Sequence, residues 1–291
     1  MALSHKESSP RPLTLTVLDT YGFEALLKRV ARSFQLSLRI LPASLRPPLS
    51  LAYMLARASD TIADASSAPD FQRLALLRGL PDLFPEKSPD LGLKDAESDL
   101  LQMLPRLLEA LKTLPDQSEI IAQWRIILRG QIFDVERFAA PDATPLTPGE
   151  LEEYTYLVAG SVGEFWTRLC FKHVPNYSSR PLEEMLPLAR RFGQALQFIN
   201  ILRDRRSDAD AGRIYIPNER FYVEMQHVSE LLQSSAEYTA AIQPRSLRAA
   251  CALPLDLANQ TLALIAQHPL GVGVKVPRYK VWLALVKALW R

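Results

Sequence analysis

Residues 49–64, LSLAYMLARASDTIAD, and residues 196–208, LQFINILRDRRSD, carry the same design twice. Tyr53, Arg57, Asp60 and Asp64 recur at steps of four, three and four, and Gln197, Asn200, Asp204 and Asp208 at three, four and four. Such steps return to one face of an α-helix, so each stretch presents a polar stripe ending in two carboxylates one turn apart. The other faces are apolar: Leu49, Leu51, Ala52, Met54, Leu55 and Ile62 in the first, Leu196, Phe198, Ile199, Ile201 and Leu202 in the second. Helices this apolar are buried, and buried carboxylates must be paired or metal-bound. A lone Asp-x-x-x-Asp reads as a solvated helix face or an ion-paired one. Two matched stripes predict facing helices that hold Mg²⁺ and, through it, a diphosphate.

The rest of the chain reads as all-α. Glycine is scarce, at 11 of 291 residues, and no run of alternating β-branched residues occurs. Apolar spacing predicts helices near 20–40, 45–65, 70–79, 95–113, 117–139, 148–173, 181–207, 219–233, 236–267 and 276–290. Proline-rich loops separate them at 79–92 and 139–150. Thr147, Pro148 and Glu150 stand where an N-cap, a first-turn proline and a capping-box acid belong. No linker divides the chain, so residues 1–291 are expected to form one domain, with 1–18 a loosely ordered tail.

A net charge of +2 argues against nucleic acid as a partner. Cys170 and Cys251, without a CxxC spacing, imply neither a disulfide framework nor a structural zinc site, which fits a reducing cytoplasm. The N-terminus lacks a signal-like apolar region, and no uncharged apolar run of membrane-spanning length occurs.

After the second acidic pair come Asp210 and GRIYIP, where Gly212 permits a tight exit and throws Arg213 back towards the carboxylates. Arg203 is a second cation for phosphate oxygens, and the alternative for both is simple neutralisation of the aspartates. Tyr154 leads a row of small residues, Ala159, Gly160, Ser161 and Gly163, which reads either as clearance for a bulky apolar tail or as close helix packing. Ser33 and Phe34 mix a polar group with an aromatic face that can steady a carbocation.

Four segments in this order, ARSFQLSLRILP, AYMLARASDTIAD, YTYLVAGSVGEFW and QFINILRDRRSDADAGRIYIP, resemble the signatures of squalene and phytoene synthases, head-to-head prenyltransferases of the isoprenoid synthase fold. The likeness runs from about residue 25 to 280, and CALPLDLANQTLALI with VGVKVPRYK resembles the late stretch of the squalene type. It implies a single helical bundle around a central cavity. It also implies two farnesyl diphosphates joined through presqualene diphosphate and reduced by NADPH to squalene.

Carried over by position, Asp60, Asp64, Asp204 and Asp208 would hold Mg²⁺, and Arg57, Arg203 and Arg213 would bind phosphate oxygens. Tyr53, Gln197 and Asn200 would complete the polar lining, Ser33 and Phe34 would line the substrate, and Tyr154 would handle a proton or steady a cation. Ala63 and Ser207 stand where squalene synthases commonly carry Glu. Eukaryotic members typically carry a C-terminal membrane anchor, and with the likeness ending near residue 280 none is expected here.

Lys275 and Arg278 are candidates for the NADPH phosphate, although no Rossmann fingerprint is present. Without NADPH the product would be dehydrosqualene or presqualene diphosphate. Phytoene synthesis from geranylgeranyl diphosphate is the runner-up, and a catalytically inactive scaffold of the same fold the non-enzymatic reading. Residues 276–291 have the pattern of an interfacial amphipathic helix, which predicts peripheral membrane association.

Overall fold

Apolar steps of three and four do produce helices throughout. A computed structural model describes residues 22–31, 34–80, 91–140 and 142–268, of residues 34–36 the backbone alone. Its α-helices are α1 (Phe23–Val30), α2 (Phe34–Arg39), α3 (Arg46–Ala63), α4 (Asp70–Gly79), α5 (Asp95–Lys112), α6 (Gln117–Arg137), α7 (Pro148–Thr155), α8 (Ser161–His173), α9 (Leu182–Asp210), α10 (Phe221–Ala241) and α11 (Arg245–Gln267). The described residues contain no strand, only an isolated bridge between Ser178 and Ile242. Ser33, Lys275, Arg278 and the expected helix at 276–291 lie outside the described residues, as does the side chain of Phe34.

The two acidic stripes fall on α3 and α9. The 29 residues of α9 run about 43 Å at 1.5 Å per residue. Met54, Leu55, Ala58 and Ile62 of α3 and Phe198, Ile199, Ile201 and Leu202 of α9 are buried in one continuous core, as their apolar spacing predicts. α3 packs on α6, α6 on the turn joining α7 to α8, and that turn on α9, so the acidic helices are tied together through the middle of the bundle.

Between α7 and α8 the helix does not break but widens into a π-helical turn, Tyr156–Gly160. The reason is close packing against α9. A Cβ on Gly193 would meet the Ala159 carbonyl oxygen at 2.1 Å, and one on Gly163 would meet that of Ala189 at 2.1 Å. The row of small residues therefore serves helix packing and not clearance for a substrate tail. Thr147 and Glu150 form the expected capping box, at 2.8 and 3.2 Å.

Three boundaries differ from expectation. The helix predicted over 20–40 is two helices, and the first ends where the Tyr53 hydroxyl donates to the Val30 carbonyl at 3.1 Å, satisfying a terminal acceptor. The break expected at Ser234 and Ser235 is absent, because Ser235 Oγ donates back to the Leu231 carbonyl at 2.7 Å and the helix continues. The chain turns instead at 242–244, ahead of α11 with Pro244 at its N-cap. Finally, α9 runs three residues past its expected end at 207, which makes Asp208 helical.

Cys170 and Cys251 are free and buried. Among the described residues α11 alone is long and apolar enough to cross a membrane, but half of that stretch is buried and it packs on α9 and α10.

Candidate active site

Tyr53, Arg57, Asp60, Asp64, Tyr154 and Gln197, all expected at the site, line one cavity of about 790 Å³. Its polar lining includes the α3 carboxylates, Arg57 and Glu97, and its apolar lining Leu49, Ile120, Ile127, Val158, Phe165 and Trp166. In the wall, Trp124 Nε1 donates to Ser59 Oγ at 3.1 Å and Gln123 Nε2 to Ser161 Oγ at 2.8 Å, whereas Gln131 Oε1 and Trp166 Nε1 are buried without hydrogen-bond partners.

Of the second acidic pair, Asp208 is linked to Asp64 through Arg213, in the exit turn of α9. Gly212, at φ +81°, takes the left-handed conformation that glycine tolerates, and the Arg213 amide returns to the Asp208 carbonyl at 2.8 Å. Arg213 then spans the two acidic helices, 3.5 Å from Asp64 and 3.6 Å from Asp208. Asp204 is paired with its neighbour Arg203, whose Nε donates at 2.8 Å, and Asn200 is exposed. Of the second stripe only Gln197 lines the cavity; Asn200, Asp204 and Asp208 do not, nor do Arg203 and Arg213.

Burial dominates the electrostatics of the site, with neighbouring charges second. Burial, reinforced by Asp64 and opposed by Arg57, pushes Asp60 up to about 6. The Asp60 side chain is 44% exposed, but that surface opens onto the cavity, and the surrounding protein still desolvates the charge. Burial likewise raises Asp208 to about 6 against the pull of Arg213. Burial holds the Tyr154 phenol well above its ordinary value, so it stays protonated.

Among the described residues no three carboxylate, histidine or cysteine side chains converge as a ready-made metal cage. The donor set nonetheless suits Mg²⁺: paired hard oxygens, too few cations, and an open cavity for the waters and phosphate oxygens that complete its shell. Position 63 is buried, and the Ser207 hydroxyl donates to the Asp204 carbonyl at 2.8 Å, so neither supplies an extra carboxylate.

Three residues went unnoticed in the sequence. The Tyr215 hydroxyl donates to Asp134 Oδ1 at 2.6 Å, and its ring stacks on that of Tyr154 at 5.4 Å. Burial, against the Tyr215 hydrogen bond, raises Asp134 to about 6. A signal existed: Gln123, Gln131 and Asp134 fall on one face of α6, and Tyr215 follows two residues after Arg213. Glu97, which accepts from Arg57 Nη2 at 3.1 Å, had no such signal.

An all-helical bundle enclosing a cavity lined by both carboxylates and apolar side chains defines the class. The chain belongs to the squalene/phytoene synthase family, whose model matches residues 27–225. A bifunctional lycopene cyclase/phytoene synthase of Colletotrichum graminicola is 33% identical over 210 residues, covering 66% of this chain and 33% of that protein. Squalene synthase BSS of Botryococcus braunii is 30% identical over 204 residues, covering 67% and 42%. A solved ligand complex of TcSQS superposes with a TM-score of 0.79 at 21% identity, covering 94% of this chain and 86% of that one. The chain spans about a third of the length of the lycopene cyclase/phytoene synthases it matches. The expected closer likeness to the squalene type does not stand out, since phytoene synthase relatives are as similar.

Proposed function

We propose that the chain condenses two prenyl diphosphates head to head, taking two farnesyl diphosphates through presqualene diphosphate to squalene. The observation that carries this reading is one cavity lined both by the α3 carboxylates and by large apolar side chains, complementary to a metal-bound diphosphate with a long hydrocarbon tail.

Bound Mg²⁺ would supply Lewis-acid stabilisation of the departing diphosphate. Asp60 and Asp64, with Asp204 and Asp208, would hold it. Arg57, Arg203 and Arg213 are the cations for phosphate oxygens, whose planar forks stay charged when desolvated. Tyr154, kept protonated in the cavity wall, would offer a hydroxyl proton, and Tyr215 stacks on its ring and holds it in place. The apolar wall excludes water from a cation that water would quench, while Phe165 and Trp166 offer aromatic faces to it.

The test is product analysis of the full chain with farnesyl diphosphate and Mg²⁺, with and without NADPH. Squalene formed only with NADPH is the expected result. Dehydrosqualene or presqualene diphosphate in both arms would remove NADPH from the reading. The likeness to phytoene synthases favours one competing substrate, geranylgeranyl diphosphate, and a preference for it in direct competition would replace farnesyl diphosphate. Failure to release pyrophosphate from any prenyl diphosphate would leave an inactive scaffold.

A further inference from the structure

Among the described residues lining the cavity, Arg57 is the one basic side chain, and two carboxylates share it. One guanidinium nitrogen donates to Asp60 and the other to Glu97 Oε1 at 3.1 Å. Glu97 belongs to neither acidic stripe. It stands near the start of α5, alone of that helix in the cavity wall. Two residues further on, Asp99 is bound by Arg29 of α1 at 2.5 Å, where α1 packs on α5. The Glu97 side chain is 48% exposed and that of Arg57 24%, so the pair sits at the rim.

Two carboxylates, Asp60 and Glu97, thus hold the Arg57 guanidinium, and a third, Asp64, lines the same cavity with Arg213 beside it. Such a rim repels an incoming diphosphate and attracts a divalent cation. Arg57 has two of its donors committed to carboxylates, and a free anion must compete for them. Once a divalent ion neutralises the aspartates, the competition reverses, because phosphate oxygens are strong acceptors for a guanidinium fork.

We propose that Glu97 is a positioning residue that withholds Arg57 from anions until a divalent ion occupies the aspartates, making diphosphate binding conditional on the metal. This rests on the reading of the cavity as a metal–diphosphate site. It differs from a purely structural ion pair in one respect: removing Glu97 strengthens anion binding when no metal is present.

The experiment is calorimetric titration of the full chain with inorganic pyrophosphate, in chelator and in saturating Mg²⁺, for wild type, Glu97→Gln, Glu97→Ala, Arg57→Gln and the double variant Arg57→Gln/Glu97→Gln. In chelator, both Glu97 variants should bind pyrophosphate about fivefold more tightly than wild type, the factor carried by a part-exposed charge pair. The gain should vanish in the Arg57→Gln background and shrink in saturating Mg²⁺. No gain in chelator, or an equal gain without Arg57, overturns the role of Glu97. Wild type that fails to bind pyrophosphate even with Mg²⁺ overturns the reading of the site itself; wild type that binds it while the Glu97 variants gain nothing overturns this inference alone.

Discussion

The guanidinium of Arg213 lies 3.5 Å from the carboxylate of Asp64, although the two residues leave different helices and stand far apart in sequence. Through this contact, and the one to Asp208 at 3.6 Å, a cation already sits between the two acidic helices. Arg213→Gln removes that cation and one donor for phosphate. Affinity for a prenyl diphosphate should fall about tenfold, or about 1.4 kcal/mol, read as KM in a pyrophosphate-release assay.

The aspartates themselves should be less replaceable. Asp60→Asn and Asp204→Asn each remove a hard oxygen ligand, and turnover of farnesyl diphosphate should drop at least about a hundredfold, the loss typical for one electrostatic stabiliser of a transition state. Steady-state pyrophosphate release measures it, and near-normal rates in either variant would refute the metal assignment for that residue.

Tyr154→Phe keeps the stacking on Tyr215 at 5.4 Å but deletes the hydroxyl. Yield of presqualene diphosphate at saturating substrate should fall, while pyrophosphate binding should hold within about tenfold, because one neutral hydrogen bond is the most that binding can lose. An unchanged intermediate yield would count against a role for the hydroxyl.

The contacts at Gly163 and Gly193 make a stability test independent of chemistry. A Cβ at either position would lie 2.1 Å from a backbone oxygen that has no rotamer by which to retreat. Gly163→Ala and Gly193→Ala should each destabilise the chain by about 1–3 kcal/mol, the usual cost of overpacking, visible as a lower urea midpoint. Gly149→Ala, with nothing within 4 Å of the added Cβ, is the control.

Asp60, Asp134 and Asp208 all titrate near about 6 in the folded chain, above the ordinary 3.8, chiefly through burial. Between those values the folded state binds more protons than the unfolded one, so stability falls as pH rises through the window and returns on acidification. Glu119, bound by Lys172, and Glu150, bound by the Thr147 backbone, are held down to about 2 and act in the opposite sense, from about pH 4.5 downward. The metal-free chain should therefore melt at a higher temperature near about pH 5 than near about pH 7.5. Mg²⁺ should raise the melting temperature more at the higher pH, since protons compete for the same carboxylates. Equal melting temperatures at both pH values, with equal Mg²⁺ shifts, would contradict the burial of these groups.

The sequence by itself determined what local spacing encodes. Steps of three and four residues place Tyr53, Arg57, Asp60 and Asp64 on one helix face, and the capping box at Thr147 and Glu150 needs only neighbours in the chain. Even the return of Arg213 was legible, because Gly212 sets the turn locally. Tertiary structure decided what depends on contacts between distant segments. Asp204 pairs with Arg203 and does not line the cavity, and Tyr53 closes the end of α1. Ala159 and Gly193 meet so closely that the small residues serve packing. Glu97 reads in sequence as an ordinary acid at a helix start, and becomes the counter-ion of Arg57 only because α5 packs across α3. Periodicity fixes which face of a helix is polar; which other helix that face meets is set by how the whole core packs.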